Sequence, residues 1–187
     1  MQRTLVLGIL NVTPDSFADG GKFLDPNDAI AQARKLIAEG ADIIDVGGES
    51  TRPGAERVTE EEELKRVIPV ITEIVKDGAV VSIDTTRSEV AKQAIAAGAT
   101  YVNDVSGGLA DEKMAALIAA NPKVQYIVMH WRGESQDMQS KAVYQDVVKE
   151  VKDELDDRVT ELLKVGVLAE QIILDPGIGF ALSLIHI

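Results

Sequence analysis

The sequence predicts an α/β fold of parallel strands joined by helices. Three observations carry that expectation. Six short apolar runs rich in Val and Ile alternate with longer helical patterns, and several are apolar throughout, as strands buried on both faces should be. The first, third and fifth helical patterns each stop at a glycine (Gly40, Gly98, Gly166), then a turn, then the next run. The segments Glu39-Gly40-Ala41-Asp42 and Ala97-Gly98-Ala99-Thr100 look like one joint used twice. Parallel strands need such crossovers.

The strand runs lie at 5–10, 42–46, 80–84, 101–105, 125–130 and 172–175. The first helix opens at Asp25-Pro26, an N-cap followed by proline, and turns Ala29, Ile30, Ala33, Leu36 and Ile37 to one face. The second opens at Thr59 with Glu62 three residues on, a capping box. Its stripe is Leu64, Val67, Ile68, Ile71, Ile74 and Val75, and Pro69 within it predicts a kink or a local break. The third helix is expected at 87–97 and the fourth at 111–120, before Asn121-Pro122. The fifth is expected at 142–165, with Val148, Val151, Leu155, Val159, Leu162 and Leu163 inward. Two architectures fit, an open doubly wound sheet or a (β/α)8 barrel. A full barrel would need two further units, about 80 more residues.

The chain has 187 residues, 45% of them hydrophobic, which excludes disorder. With 19 Lys and Arg against 31 Asp and Glu, the formal charge is −12. That balance argues against nucleic acid or an anionic membrane as a partner. There is no cysteine, hence no disulfide framework or thiolate chemistry. No apolar run reaches the roughly 18 residues of a membrane span. Met1-Gln2-Arg3-Thr4 leads straight into a strand run without a signal peptide, and a cytoplasmic location is expected.

Every strand run ends in polar residues, at the end where sites lie in both architectures. The first ends at Asn11, whose uncharged oxygen suits a hard cation such as Mg2+. The loop after it has Pro14, Asp15, Ser16, Gly20 and Gly21 and suits a mobile lid. The second leads into Gly47-Gly48-Glu49-Ser50-Thr51-Arg52-Pro53-Gly54. Its glycines allow close backbone approach, and Arg52 can grip a carboxylate or phosphate with two parallel bonds. Neither a P-loop nor a dinucleotide fingerprint is present. The remaining runs close on Asp84, on Asn103-Asp104, on Met129-His130 and on Asp175-Pro176-Gly177-Ile178-Gly179-Phe180.

Asp84, Asn103 and Asp175 together suit a flat, nitrogen-rich heterocycle with adjacent N–H and C=O groups. Asn11 with a cation suits a phosphate-bearing leaving group. No Ser-His-Asp set appears, and no strand-end lysine supports a Schiff base. His130 reads as a structural histidine and Asp45 as a buried, hydrogen-bonded carboxylate. The acidic run 60–63 and the group Asp153, Glu154, Asp156 and Asp157 read as solvated helix faces.

Gly8–Gly21, Asp45–Gly54, Ser82–Thr85, Tyr101–Gly107 and Leu174–Phe180 resemble, in the same order, the segments of the dihydropteroate synthase family of pterin-binding barrels. The resemblance spans about residues 5–180. It implies an α/β (β/α)8 TIM barrel, incomplete here with about six βα units. It implies condensation of p-aminobenzoate with 7,8-dihydropterin-6-ylmethyl diphosphate, giving 7,8-dihydropteroate and diphosphate in folate biosynthesis, and a sulfonamide target. By resemblance, Asn11 would hold Mg2+ beside the diphosphate. Asp84, Asn103 and Asp175 would bind the pterin and serve catalysis. Thr51 would contact the pterin substrate, Met129 and Phe180 would line its pocket, and Phe17, Arg52 and Pro53 would help form the p-aminobenzoate site. The family homodimer is built on late helices, which this sequence does not include.

The family continues with a Lys-Ser segment at its seventh strand and an Arg-x-His segment at its eighth, neither present here. Residues 182–187, Leu-Ser-Leu-Ile-His-Ile, read like the translation of a transposon end used as a sequencing adapter. The expected division is therefore a pterin-binding barrel portion, 1–181, and a non-native tail, 182–187. On that division the chain by itself is expected to be inactive. The competing readings are a corrinoid-linked methyltetrahydrofolate methyltransferase type of pterin barrel and a non-catalytic pterin-binding paralogue.

Overall fold

A computed structural model of the chain describes residues 3–13, 26–49, 58–133 and 138–182. These fall into two compact units. The first unit takes in residues 3–13, 26–49, 58–85 and 89–102. It contains β1 (Leu7–Asn11), α1 (Pro26–Ala38), β2 (Ile43–Gly47), α2 (Glu60–Lys76), β3 (Val81–Asp84), nearly all of α3 (Ser88–Ala96) and the start of β4 (Tyr101–Asp104). Its strands lie in the order β1-β2-β3-β4. β1 and β3 both pair parallel with β2, and all five residues of β2 are buried.

The joint seen twice in the sequence is built in full. After α1, the Gly40 N–H donates to the Ile37 carbonyl and the Ala41 N–H to the Leu36 carbonyl, with Gly40 at φ 109°. After α3, Gly98 and Ala99 repeat this with Ile95 and Ala94, at φ 110°. This is the left-handed closure that glycine alone enters freely. A Cβ on Gly98 would also lie 2.6 Å from Val75 Cγ1. The structure adds a third copy after α2, at Gly78, which the sequence reading did not single out.

In α2, Thr59 caps the helix by accepting the Glu62 N–H at 3.2 Å. Of the kink or local break expected at Pro69, the break does not occur, and the helix runs on through it. Pro69 is exposed, so the carbonyl deprived of its partner can turn to water. The buried stripe is Glu63, Val67, Val70, Ile71 and Ile74. Glu63 corrects the reading of 60–63 as a solvated face: it is 1% exposed. Its spacing to Val67, Val70 and Ile74 puts it on the inward face.

The second unit takes in residues 86–88, 103–133 and 138–182. It holds the end of β4, α4 (Met114–Ala119), β5 (Gln125–Met129), a 3-10 turn (Met138–Lys141), α5 (Val147–Val165), a second 3-10 turn (Ala169–Gln171) and β6 (Ile172–Asp175). Its strand order is β4-β5-β6, and β5 and β6 are parallel. α5 starts five residues later than expected because Asp146, in extended backbone, caps it by accepting the Lys149 N–H at 3.1 Å. Val151, Leu155 and Leu162 are buried as expected, whereas Val148 and Leu163 are exposed. Gly166 closes α5 as the other joints do. Leu182 packs against Val151 and Leu155, and residues 183–187 lie outside the described residues. Among the described residues, no helix is long and apolar enough to cross a membrane.

Gln171 fastens β6 to the rest of this unit. It is fully buried, and its Nε2 faces the carbonyls of Ile118, Asn121 and Val124 at 3.2, 3.1 and 2.9 Å. Its Oε1 accepts the Leu168 N–H at 3.0 Å. Gln171→Leu removes that donor and acceptor from a buried place, and should cost about 2–3 kcal/mol of stability. The urea midpoint should fall accordingly; an unchanged midpoint would show that these carbonyls find other partners.

Candidate functional site

In the first unit the parallel register sets Asn11 beside Gly47 and Gly47 beside Asp84. A Cβ on Gly47 would lie 3.5 Å from Asn11 Oδ1 and 3.5 Å from Asp84 Oδ2. The bare glycine therefore leaves two side-chain oxygens flanking a shallow floor. The Val12 N–H donates to the Gly47 carbonyl at 2.7 Å and ties the exits of β1 and β2 together. Two residues back along the same face lie Asp45 and Ser82, both buried as expected of a strand interior.

The β2 exit is laid on the first two turns of α2. A Cβ on Gly48 would lie 2.8 Å from Val67 Cγ1 and 3.0 Å from Glu63 Cγ, too close without a shift. Arg66 Nη1 donates to the Gly48 carbonyl at 3.0 Å. This anchor was not read from the sequence. The expected residues Phe17, Thr51, Arg52 and Pro53 lie outside the described residues.

In the second unit, Met129 pairs with Asp175 across β5 and β6, and the His130 N–H donates to the Asp175 carbonyl at 2.9 Å. Asp175 Oδ1 accepts the Gly177 N–H at 2.8 Å, and the Phe180 N–H closes onto the Gly177 carbonyl at 2.8 Å. Gly177 sits at φ 70°, and a Cβ there would lie 3.0 Å from the His130 carbonyl and 3.1 Å from Met129 Cγ. The turn from Asp175 to Phe180 thus packs directly on the β5 exit.

Asn103 and Asp104 point to opposite faces of β4. Asn103 is half-buried; Asp104 is fully buried and has a structural role. Its carboxylate accepts from the Ser106 N–H (2.8 Å), the Ser106 hydroxyl (2.6 Å), the Gly108 N–H (3.0 Å) and the Tyr126 hydroxyl (2.8 Å). Burial pushes the Asp104 carboxyl above its ordinary range even against these four donors. Burial and the adjacent carboxylate push the Tyr126 phenol well up. Asp104 thereby shapes the turn that follows Asn103.

A polar relay joins the β5 exit to α5. His130 is buried, and its Nε2 lies 2.8 Å from Glu154 Oε2; no hydrogen-bond partner reaches its Nδ1 among the described residues. Arg132 binds both oxygens of Glu154, with Nε at 3.1 Å from each and Nη2 also on Oε1. Arg132 Nη2 also reaches Glu150 Oε2 at 2.8 Å. Glu154 is therefore not the solvated acid expected. Burial raises its carboxyl, but Arg132 and His130 more than offset that and leave it below its ordinary value. The signal that could have found this is the spacing of Glu150 and Glu154, four apart and flanking Val151 and Leu155.

Parallel strands alternating with helices, with a carboxamide and a carboxylate beside a bare glycine at the C-terminal strand ends of the first unit, make this an α/β protein with polar groups at the end where such folds hold small molecules. Residues 7–186 match the family of pterin binding enzymes, and the chain belongs to that family. It is 50% identical over 177 residues to the dihydropteroate synthase of Mycobacterium leprae (strain TN), covering 94% of this chain and 62% of that protein. A structure of the Yersinia pestis dihydropteroate synthase in a sulfonamide drug complex superposes with a TM-score of 0.91 at 35% identity, covering 98% of this chain and 66% of the other. The Burkholderia cenocepacia enzyme complexed with 7,8-dihydropteroate gives 0.84 at 41%, covering 97% and 61%. The chain thus spans under two thirds of the length of these relatives. The expected fold class is borne out: six parallel strands alternate with helices as in the barrels of this family.

Arg132, together with the Asp146 and Gln145 backbone N–H groups, holds the Glu150 carboxyl at about 2, against an ordinary 4.5. A carboxylate with a depressed folded pKa binds fewer protons folded than unfolded. Its contribution is present above the unfolded value and is lost as pH falls from about 4.5 toward 2. Thermal midpoints measured from pH 7 to pH 2.5 should fall less steeply below pH 4.5 in Glu150→Gln than in the parent. Parallel curves would show that Arg132 does not hold this carboxylate in solution.

Proposed function

We propose that this chain belongs to a dihydropteroate synthase that joins p-aminobenzoate to 7,8-dihydropterin-6-ylmethyl diphosphate. The observation that carries the reading is the row Asn11–Gly47–Asp84, two oxygen-bearing groups flanking a residue without a side chain. The membership of the family and the identity to synthases support it. Asp84, Asn103 and Asp175 bind the pterin through its N–H and C=O edge. Met129 and Phe180 supply its apolar walls, Thr51 contacts the pterin substrate, and Phe17, Arg52 and Pro53 form the p-aminobenzoate side.

The donor set fits Mg2+. Asn11 offers one neutral oxygen, and Mg2+ commonly takes one or two protein oxygens and completes its shell with substrate phosphates and water. When bound, the ion would neutralise charge on the departing diphosphate. The carbon–oxygen bond at the pterin methylene breaks, and diphosphate leaves with the electron pair. The carboxylates of Asp84 and Asp175 favour the positive charge that develops across methylene and ring. The amine of p-aminobenzoate then forms the new carbon–nitrogen bond and releases a proton.

Calorimetric titration of the chain with 7,8-dihydropterin-6-ylmethyl diphosphate and Mg2+ tests this. Asp84→Asn keeps the shape and removes the charge, so binding should weaken by about 10- to 100-fold, the size of one charged hydrogen bond. Equal affinity in parent and variant, or no binding to the parent, would sink the reading. Gly47→Ala should leave the unfolding midpoint near that of the parent, since its contacts are ordinary at 3.5 Å, while lowering affinity by filling the floor. A large loss of stability with unchanged affinity would assign Gly47 to packing instead.

A further inference from the structure

The relay at the β5 exit continues past Arg132 and ends on the turn that follows β6. The Arg132 guanidinium lies 3.9 Å from the centre of the Tyr144 ring, a cation–π stack. Its Nη1 donates to the Val143 carbonyl at 2.8 Å, so the guanidinium is fixed by Glu150, Glu154 and the backbone next to Tyr144. The Tyr144 hydroxyl in turn donates to the Ala181 carbonyl at 3.0 Å. Ala181 is buried and is the one non-glycine in the left-handed backbone region among the described residues, at φ 50°. An L-residue there is strained and persists only where its surroundings hold it.

We infer that Tyr144, clamped by Arg132, is a positioning residue for the Asp175–Ala181 turn. One end of that turn is pinned from within, by Asp175 Oδ1 on the Gly177 N–H and by the Phe180 N–H on the Gly177 carbonyl. The other end is pinned from outside, by Tyr144 on Ala181. Phe180 lies between the two pins, so the Tyr144 hydroxyl sets the backbone from which Phe180 projects. The strain at Ala181 is the sign that the turn is held rather than resting at its own minimum. That the turn serves a pterin rests on the function proposed above. Tyr144 acts through Ala181 and Phe180 and touches no reacting atom itself.

The test compares the full chain with Tyr144→Phe and with Tyr144→Phe combined with Ala181→Gly. Phenylalanine keeps the stack on Arg132 and removes only the hydroxyl. Two readouts are taken: amide hydrogen exchange across 177–182, and calorimetric affinity for the probe 6-hydroxymethyl-7,8-dihydropterin. In Tyr144→Phe, exchange across 177–182 should quicken and affinity should fall, each by about three- to tenfold, the effect of one neutral hydrogen bond. Protection of β5 and α5 should not change. Adding Ala181→Gly, which removes the left-handed penalty, should recover part of the affinity. Unchanged exchange across 177–182 overturns the inference, as does a rise spread evenly over the unit or faster exchange with unaltered affinity. If the parent binds no probe, the pterin reading fails, and the exchange comparison alone then upholds or overturns the positioning role.

Discussion

The parallel register fixes which side chains meet at the strand ends. Asn11, Gly47 and Asp84 lie side by side only because β1, β2 and β3 pair as they do. A slip of one residue would bring Val46 into the row and turn each polar end to the wrong face. The helix ends set this register. Gly40, Gly78 and Gly98 each close a helix with the same pair of backbone bonds, and β2, β3 and β4 begin three residues after them. A fixed turn delivers each strand at a fixed offset from its helix, so a left-handed glycine at one end of the sheet governs which groups meet at the other.

Buried charge is handled differently at the two kinds of strand end. Asp104 is enclosed, receives four donors and is still pushed upward by burial, which suits a carboxylate that shapes a turn. Its neighbour Asn103 points to the opposite face and is half-buried. One strand therefore places adjacent polar residues on opposite faces, and one of them holds the exit in shape. Met129 and His130 divide in the same way: the methionine pairs with Asp175 across the strands, while the histidine side chain goes to α5.

Much of this was legible in the sequence. All six apolar runs became strands within two or three residues at either end, because Val- and Ile-rich stretches between helical patterns leave little alternative. The joints at Gly40 and Gly98 and the cap at Thr59 could be read because they are local chemistry. The start of α5 was misread because apolar spacing extends upstream of Asp146, and capping, not spacing, decides where a helix begins. The placing of Asn11 and Asp84 on either side of Gly47 followed from strand-end position alone. The relay through His130, Arg132 and Glu154 did not, since its members lie 22 and 24 residues apart and meet only once α5 packs.

The acidic residues show the physical reason for the remaining errors. A run such as 60–63 looks solvated because its average polarity is high, yet a helix sorts its members by angle, not by average. Glu63 falls in line with Val67, Val70 and Ile74, and Glu154 beside Val151 and Leu155. A helix that follows a strand also begins where that strand ends. Its first-turn carboxylates face both the positive end of the helix dipole and the loop leaving the strand. Glu150 acts in this way and holds Arg132 just past β5, whereas Glu63 packs its side-chain stem beside Gly48, whose carbonyl is bound by Arg66. An acid that complements the helix dipole in sequence thus becomes, in the folded chain, an anchor of the segment leaving β5.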